Sequence, residues 1–266
     1  MADQASGYDS LGAVDPNQEK SRTGRHLPTA VFTIQEALLD YDGRMSLWRW
    51  KRIAEPEAMD EPEDVEAYAS AASEDYLDRM DSACAESILR AGARTNWWLD
   101  VGCGPGQIDV RLAARTPAKV VGIDLSLPML RRARSNALKH GLADRVFFVM
   151  ANAAALPFKP RSFDLIRSNS LLHHLSDPVR FFHEAASAMQ RGSRFFLQDL
   201  VRPPRWRFRR HVGWYGRNYT GTMRRLFEAS VRAAYTVREV RALLDGTQLR
   251  KASVSKRAGC YLIVQQ

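Results

Sequence analysis

Leu99-Asp100-Val101-Gly102-Cys103-Gly104-Pro105-Gly106 is the stretch on which the fold turns. An apolar run, Trp97 to Val101, stops at a glycine-rich loop, and the helical pattern QIDVRLAAR follows at once. Strand, glycine loop and helix in that order form the first unit of an open α/β sheet, whose ligands sit beyond the carboxyl ends of the strands. Gly102, Gly104 and Gly106 let the backbone turn sharply and approach a ligand with no Cβ in the way. The loop alone does not choose among nucleotide ligands, but its spacing narrows them. The third glycine of a GxGxxG dinucleotide loop is lacking, since Ile108 and Asp109 follow, and so is the Lys-Ser/Thr pair of a phosphate loop.

Outward from this loop the pattern repeats. KVVGIDL precedes PMLRRARSNALKHG, RVFFVMA precedes a loop, FDLIRSNS precedes PVRFFHEAASAMQRG, and RFFLQDL closes the series. Short apolar strands separated by helices predict a doubly wound, mostly parallel sheet buried on both faces. The helix of PVRFFHEAASAMQRG is expected to run to Gly192, and the fifth strand to begin at Arg194. A helix near Val237 to Leu244 and two last strands, KASVSK and GCYLIVQ, complete the core. The second strand delivers Asp124 about twenty residues beyond the glycine loop, where one carboxylate can hold both ribose hydroxyls. The alternative for Asp124 is a helix cap before Leu127-Pro128, a duty for which Ser126 is better placed.

Before the core, residues 1–29 are polar and lack an apolar period, and are expected to be a flexible leader. Residues 30–92 are expected to form a helical N-terminal extension that contributes to a lid. In it Trp48 and Trp50 need a docking surface or a ligand, docking being the expectation, and the acidic EPEAMDEPED is read as a linker. The domain proper spans 93–266, with an insertion at 201–235.

The 266 residues are 45% hydrophobic and 26% charged, ordinary globular usage that excludes wholesale disorder. No run approaches the roughly 20 apolar residues of a membrane span, and MADQASGYDSLG has no basic region leading into an apolar one, so a cytoplasmic location is expected. Cys84, Cys103 and Cys260 show no ligand spacing, so neither a disulfide framework nor a metal site is expected. A net charge of +9 is compatible with a polyanionic partner and decides nothing alone.

Taken in order, DVGCGPGQ, GIDLS, the ALPF of Ala155 to Phe158 and the FDLIRSNSLLHHLSDP of Phe163 to Pro178 resemble the class I S-adenosylmethionine-dependent methyltransferase family, in particular its small-molecule type 11 branch. The resemblance covers about Trp97 to Leu200. It implies a Rossmann-like sheet of seven strands, six parallel and the last antiparallel, with S-adenosylmethionine as cofactor. It also implies that Asp100, Gly102, Gly104 and Gly106 contact the methionine moiety, that Asp124 holds the ribose and that Leu125 packs on adenine. Asn152, with the adjoining Ala153, takes the place where the family offers an acid to the adenine amino group. An amide oxygen accepts that hydrogen bond without the assistance of charge. Asn169 offers its backbone near the methionine amino group.

Two histidines, His173 and His174, follow the fourth strand at the ligand edge. Either is a candidate general base for an acceptor that must lose a proton, and the alternative is that one packs in the core while the other merely lines the pocket. The insertion interleaves arginine with aromatic residues. Arg205, Trp206, Arg209, Arg210, Trp214 and Tyr215 are its candidate acceptor-side residues, able to meet phosphates, bases or carboxylates, unless the segment is only a basic helix packed on the sheet. The acceptor is thus expected to be a small carboxylated or aromatic metabolite, methylated at oxygen, carbon or nitrogen. RNA is the second possibility and a non-catalytic cofactor-binding homologue the third. A dehydrogenase fits the glycine spacing less well. The segment Ser168-Asn169-Ser170-Leu171 lacks the Asn/Asp-Pro-Pro-aromatic element of base and glutamine N-methylation, and no cysteine is placed for covalent catalysis. Sequence leaves the oligomeric state open.

Overall fold

The computed structural model describes residues 50–56, 59–72, 75–90 and 92–266. The expected leader, Trp48 and the whole segment between them lie outside the described residues. Two helices, α1 (Pro62–Ala72) and α2 (Asp75–Arg90), precede β1 (Trp97–Val101). Then come α3 (Gln107–Arg115), β2 (Lys119–Asp124), α4 (Leu127–Lys139), β3 (Val146–Met150), β4 (Phe163–Asn169), α5 (Pro178–Ala188) and β5 (Met189–Leu200). A 3₁₀ turn (Arg205–Arg207), α6 (Phe208–Tyr215), α7 (Gly221–Ala233), α8 (Val237–Asp245), β6 (Ser253–Arg257) and β7 (Tyr261–Gln265) complete the chain.

The seven strands form one sheet in the order β3-β2-β1-β4-β5-β7-β6. The pairs from β3 to β5 are parallel, and β7 runs antiparallel to both of its neighbours, as expected. Central β1 and β4 are buried along almost their whole length, their polar residues Asp100, Asp164 and Arg167 included; β3, at the edge, is half exposed. On one face Phe181, Phe182, Val240 and Leu244 of α5 and α8 pack on Leu99, Ile166 and Leu197. On the other, Cys84 and Ile88 of α2 and Ile108, Val110 and Leu112 of α3 pack on Trp98, Val120 and Leu165. Each large side chain so buried stabilises the sheet by about 1.5–3 kcal/mol.

Local signals explain the helix starts. The Ser126 hydroxyl accepts from Met129 N with Pro128 in the first turn, Asp177 caps α5 before Pro178, and Thr236 and Glu239 form a capping box on α8. One boundary differs from expectation. Helix α5 ends at Ala188, and β5 starts at Met189 rather than Arg194. The carbonyls of Ser187 and Ala188 accept from Arg161 N and Ser162 N at 2.9 Å each, so the neighbouring loop takes bonds that another helical turn would have used.

Trp50 is docked as expected: its Nε1 donates to Pro203 O at 3.1 Å and its ring meets Phe208 edge-on at 4.7 Å. The strap that follows is pinned to the domain. Arg52 donates to Ala233 O and His173 O, each at 2.5 Å, and Ser126 Oγ donates to Met59 O at 2.8 Å. Among the described residues no helix is long and apolar enough to cross a membrane.

Candidate active site

The chain reverses its winding direction between β1 and β4, and a cleft of about 770 Å³ opens there at the carboxyl ends of the strands. Gly102, Gly104, Asp124, Leu125, Asn152, Ala153 and Asn169 all line it. The loop after β1 is held by Gly102 N and Cys103 N donating to Ile123 O at 2.8 and 2.9 Å. Gly104 has a φ of 51°, and a Cβ built there would meet nothing within 4 Å. Its backbone therefore faces open space that a side chain would fill.

Asp124 stands at the tip of β2. One carboxylate oxygen accepts from Gly104 N and the other from Ser126 N, both at 2.9 Å, while Ser126 itself caps α4. The aspartate is thus aimed at the loop rather than spent on the helix. Burial raises its pKa against three backbone hydrogen bonds that lower it. Asn152 Oδ1 accepts from Ala154 N at 2.7 Å, a local turn that fixes the amide at the rim.

Gly106 does not line the cleft. At φ 72° it precedes α3, and a Cβ there would stand 3.0 Å from Ala133 and Phe148. Its glycine is required by the close approach of α4 and β3.

Asp100 lines a small recess of the same site with Tyr68, Asp81, Gly104, Arg167 and Asn169. It is fully buried and ion-paired to Arg167, which also binds Asp109 at 2.9 Å. One guanidinium serves two buried carboxylates, and Asp100 Oδ1 is left without a partner. Burial drives Asp100 well up, against the pull of Arg167, and Asp81 up to about 6 for the same reason. Among the described residues Asp100 Oδ1 has no hydrogen-bond partner, and with Asp81 it makes the recess suit an ammonium group. Open glycine backbone, a carboxylate at the tip of β2 lining the cleft and an acidic recess together fit S-adenosylmethionine.

A second cleft, of about 700 Å³, adjoins the first and shares Met59, Tyr68, Asn169, Ser170 and His174 with it. Its remaining wall is largely apolar: Met80, Leu200, Met223, Leu226, Phe227 and Tyr261 lie in it. Arg205, Trp206, Arg209, Arg210, Trp214 and Tyr215 line neither cleft, which corrects the placement expected from composition. The insertion does contribute, but through Tyr219 to Ser230 on and before α7.

His173 and His174 both line this second cleft, with ring centroids 4.3 Å apart. His173 Nδ1 donates to Asp199 Oδ1 at 2.6 Å, and its backbone N donates to Asp199 Oδ2 at 3.2 Å. Its Nε2 faces Glu55 Oε2 at 3.7 Å, too long for a hydrogen bond. Burial pulls the His173 pKa down, but the charge of Asp199, the hydrogen bond to it and the charge of Glu55 outweigh that, and the net shift is upward. His174 goes the other way, lowered to about 4 by burial and by the neighbouring His173. Its Nδ1 donates to Pro56 O at 2.9 Å. Glu55 is raised by burial, against the charge of His173, and its Oε2 has no hydrogen-bond partner. The side chains of Glu55, His173 and His174 also stand close enough to converge on a cation, a grouping that no sequence spacing announced.

Sequence reasoning missed Asp199, Glu55 and Arg167. Asp199 sits in the QDL that ends a strand at the ligand edge, and Arg167 is a charge inside a buried strand. Both were available as signals. Glu55 belongs to a segment read as linker, and only folding reveals its partner.

Residues 99–197 match the family model described as methyltransferase domain. A 27-O-demethylrifamycin SV methyltransferase of Amycolatopsis mediterranei is 35% identical over 51% of this chain and 49% of its own length. A demethylmenaquinone methyltransferase of Lactiplantibacillus plantarum is 33% identical over 45% of this chain and 54% of its own. The chain thus spans about half the length of these curated relatives. Among solved structures, an S-adenosyl-L-methionine-dependent methyltransferase from Methanococcus maripaludis superposes with a TM-score of 0.60 at 17% identity, over 80% of this chain and 96% of that one. The plantazolicin methyltransferase BpumL gives 0.60 at 15% identity, over 77% and 90%. The sheet order and the glycine loop agree with these matches: residues 99–197 are similar to a methyltransferase domain, and the fold is that of the class I S-adenosylmethionine-dependent methyltransferases.

Proposed function

We propose that this protein methylates a small, largely apolar acceptor bearing an acidic hydroxyl or an activated carbon, such as a phenol or an enol, held in the second cleft. The observation that carries this reading is the junction of the two clefts at Asn169, Ser170 and His174, with the His173–Asp199 pair on the acceptor side. S-adenosylmethionine, when bound, supplies an electrophilic methyl group whose sulfur departs as a neutral thioether.

What the chain contributes is placement and proton management. Asp124 takes the ribose hydroxyls, Leu125 and Ala153 flank the adenine, Asn152 accepts from its amino group, and the recess of Asp100 receives the methionine end. In the second cleft the acceptor proton passes to His173 Nε2, while Asp199 holds the imidazole by Nδ1 and stabilises the charge it gains. His174 remains neutral at physiological pH and does not compete for that proton.

Among the described residues no arginine lines the second cleft, so an aromatic acceptor is favoured over a carboxylated one, and RNA over neither. The relatives named for a rifamycin and a menaquinone support the same class of acceptor. A cytoplasmic location belongs to this reading.

The test is formation of S-adenosylhomocysteine from S-adenosylmethionine by the purified chain, with phenols, hydroquinones, aromatic carboxylates and bulk RNA in parallel. Turnover with neutral phenols or hydroquinones is expected. Turnover with RNA alone would overturn the reading, and cofactor binding without turnover on any acceptor would support a non-catalytic homologue instead.

A further inference from the structure

The Arg-rich segment that left the cleft forms a surface of its own. The inner side of α6 is buried: Phe208 and Val212 pack with Leu200, Phe227 and Val231. Leu200 and Phe227 are also walls of the second cleft, so this helix roofs the acceptor site from outside. Its outer side is a stripe. Arg209, Arg210, Gly213 and Trp214 of α6, Trp206 of the 3₁₀ turn before it and Arg217 of the turn after it are spaced at i, i+3, i+4, i+7, i+8 and i+11 from Trp206, and every one is exposed.

Two features make the stripe unusual for a surface facing only water. Trp206 is 52% and Trp214 64% exposed, although a large apolar ring in water is unfavourable. The stripe is also purely cationic. No Asp or Glu occurs from Val201 to Phe227, and among the described residues Arg205, Arg207, Arg209, Arg210 and Arg217 form no ion pair with a carboxylate. Arg207 lies over the Trp206 ring at 4.4 Å and Arg217 over Trp214 at 4.8 Å, so each ring is flanked by a guanidinium.

Amphipathic indole rings settle at the headgroup level of a bilayer, guanidinium forks match lipid phosphates, and basic side chains are drawn to anionic leaflets. We propose that this stripe docks the protein on the surface of an anionic lipid bilayer. Single-stranded RNA is the less suitable occupant, because among the described residues the stripe's arginines line none of the clefts that could track a backbone. The choice also rests on the proposed function, since an apolar acceptor is delivered from a membrane to a cleft roofed by the same helix.

The experiment is co-sedimentation of the full chain with vesicles of phosphatidylcholine, or of phosphatidylcholine mixed with phosphatidylglycerol, at low and physiological salt. Binding to the anionic vesicles alone is expected. Each arginine replaced should weaken it about fivefold, so the triple variant Arg209→Ala/Arg210→Ala/Arg217→Ala should lose about a hundredfold. Trp206→Ala/Trp214→Ala should retain low-salt binding and lose what survives at physiological salt. Equal binding to both vesicle types, wild-type binding by the triple variant, or preference for an RNA oligomer over vesicles would each overturn the proposal. Thermal melting verifies that each variant is folded, so the vesicle result stands even for a chain that binds no sulfur nucleotide.

Discussion

The two clefts meet at a few shared residues yet are built in opposite ways. The cofactor cleft is made of short contiguous motifs, each at the end of a strand: the loop after β1, the tip of β2, the loop after β3 and the end of β4. The acceptor cleft collects side chains from α1, α2, β5, α7 and β7, none of which is a motif by itself. Backbone geometry makes the first and scattered packing makes the second. The first should therefore fail all at once on a single substitution, while the second should change by degrees.

The largest effect is expected at the β1 loop. Gly104→Leu puts a side chain into the open space of the cleft at a φ of 51°, and should abolish binding of S-adenosylhomocysteine in a calorimetric titration. Next comes the proton path. Asp199→Asn should lower kcat about 10²- to 10⁴-fold for an acceptor that must be deprotonated, with cofactor affinity unchanged. Because Asp199 supplies the largest upward pull on His173, the alkaline rise of the pH–rate profile should move to lower pH in this variant, while the plateau falls. A loss of cofactor affinity in Asp199→Asn would erase the division between the clefts.

A smaller effect concerns stability. His174 is held neutral in the folded chain, lowered from 6.5 to about 4, whereas the unfolded chain binds its proton below about 6.5. Its contribution is therefore present above that pH and lost as pH falls toward 4, by at most about 3 kcal/mol. Asp81, raised to about 6, has the opposite sign and favours folding as pH falls. His174→Gln should flatten the acid limb of a denaturation series; an unchanged limb would mean that His174 is solvated. The mildest change is Leu226→Trp in the acceptor wall. It should raise KM for the acceptor and leave the cofactor titration as it is.

The same division explains what was legible in the sequence. Glycine spacing, the Asp124 carboxylate and the alternation of strands and helices are local features, and they predicted a mostly parallel doubly wound sheet and much of the lining of the first cleft. The packing of Ala133 and Phe148 on Gly106 was not legible, because a glycine that admits a neighbouring side chain and one that admits a ligand look alike in sequence. The end of α5 was missed because its last carbonyls are taken by a loop that lies before the helix in the chain. In the acceptor cleft, Glu55 reaches His173 across more than a hundred positions, a relation that no window of sequence contains. The arginine and tryptophan residues drew attention by composition, but Phe208 and Val212 determine which side of α6 faces inward, and that side turns the arginines away from the cleft.

The central claim is that Asp124 and the loop after β1 make a sulfur-nucleotide site, and calorimetric titration tests it most directly. Wild-type protein should bind S-adenosylmethionine and S-adenosylhomocysteine but not NADH. Asp124→Ala should weaken both by at least about tenfold, through loss of charge-assisted hydrogen bonds worth about 1.5–3 kcal/mol each, while melting as a folded chain. Wild-type affinity in Asp124→Ala, or tighter binding of NADH than of either sulfur nucleotide, would contradict it.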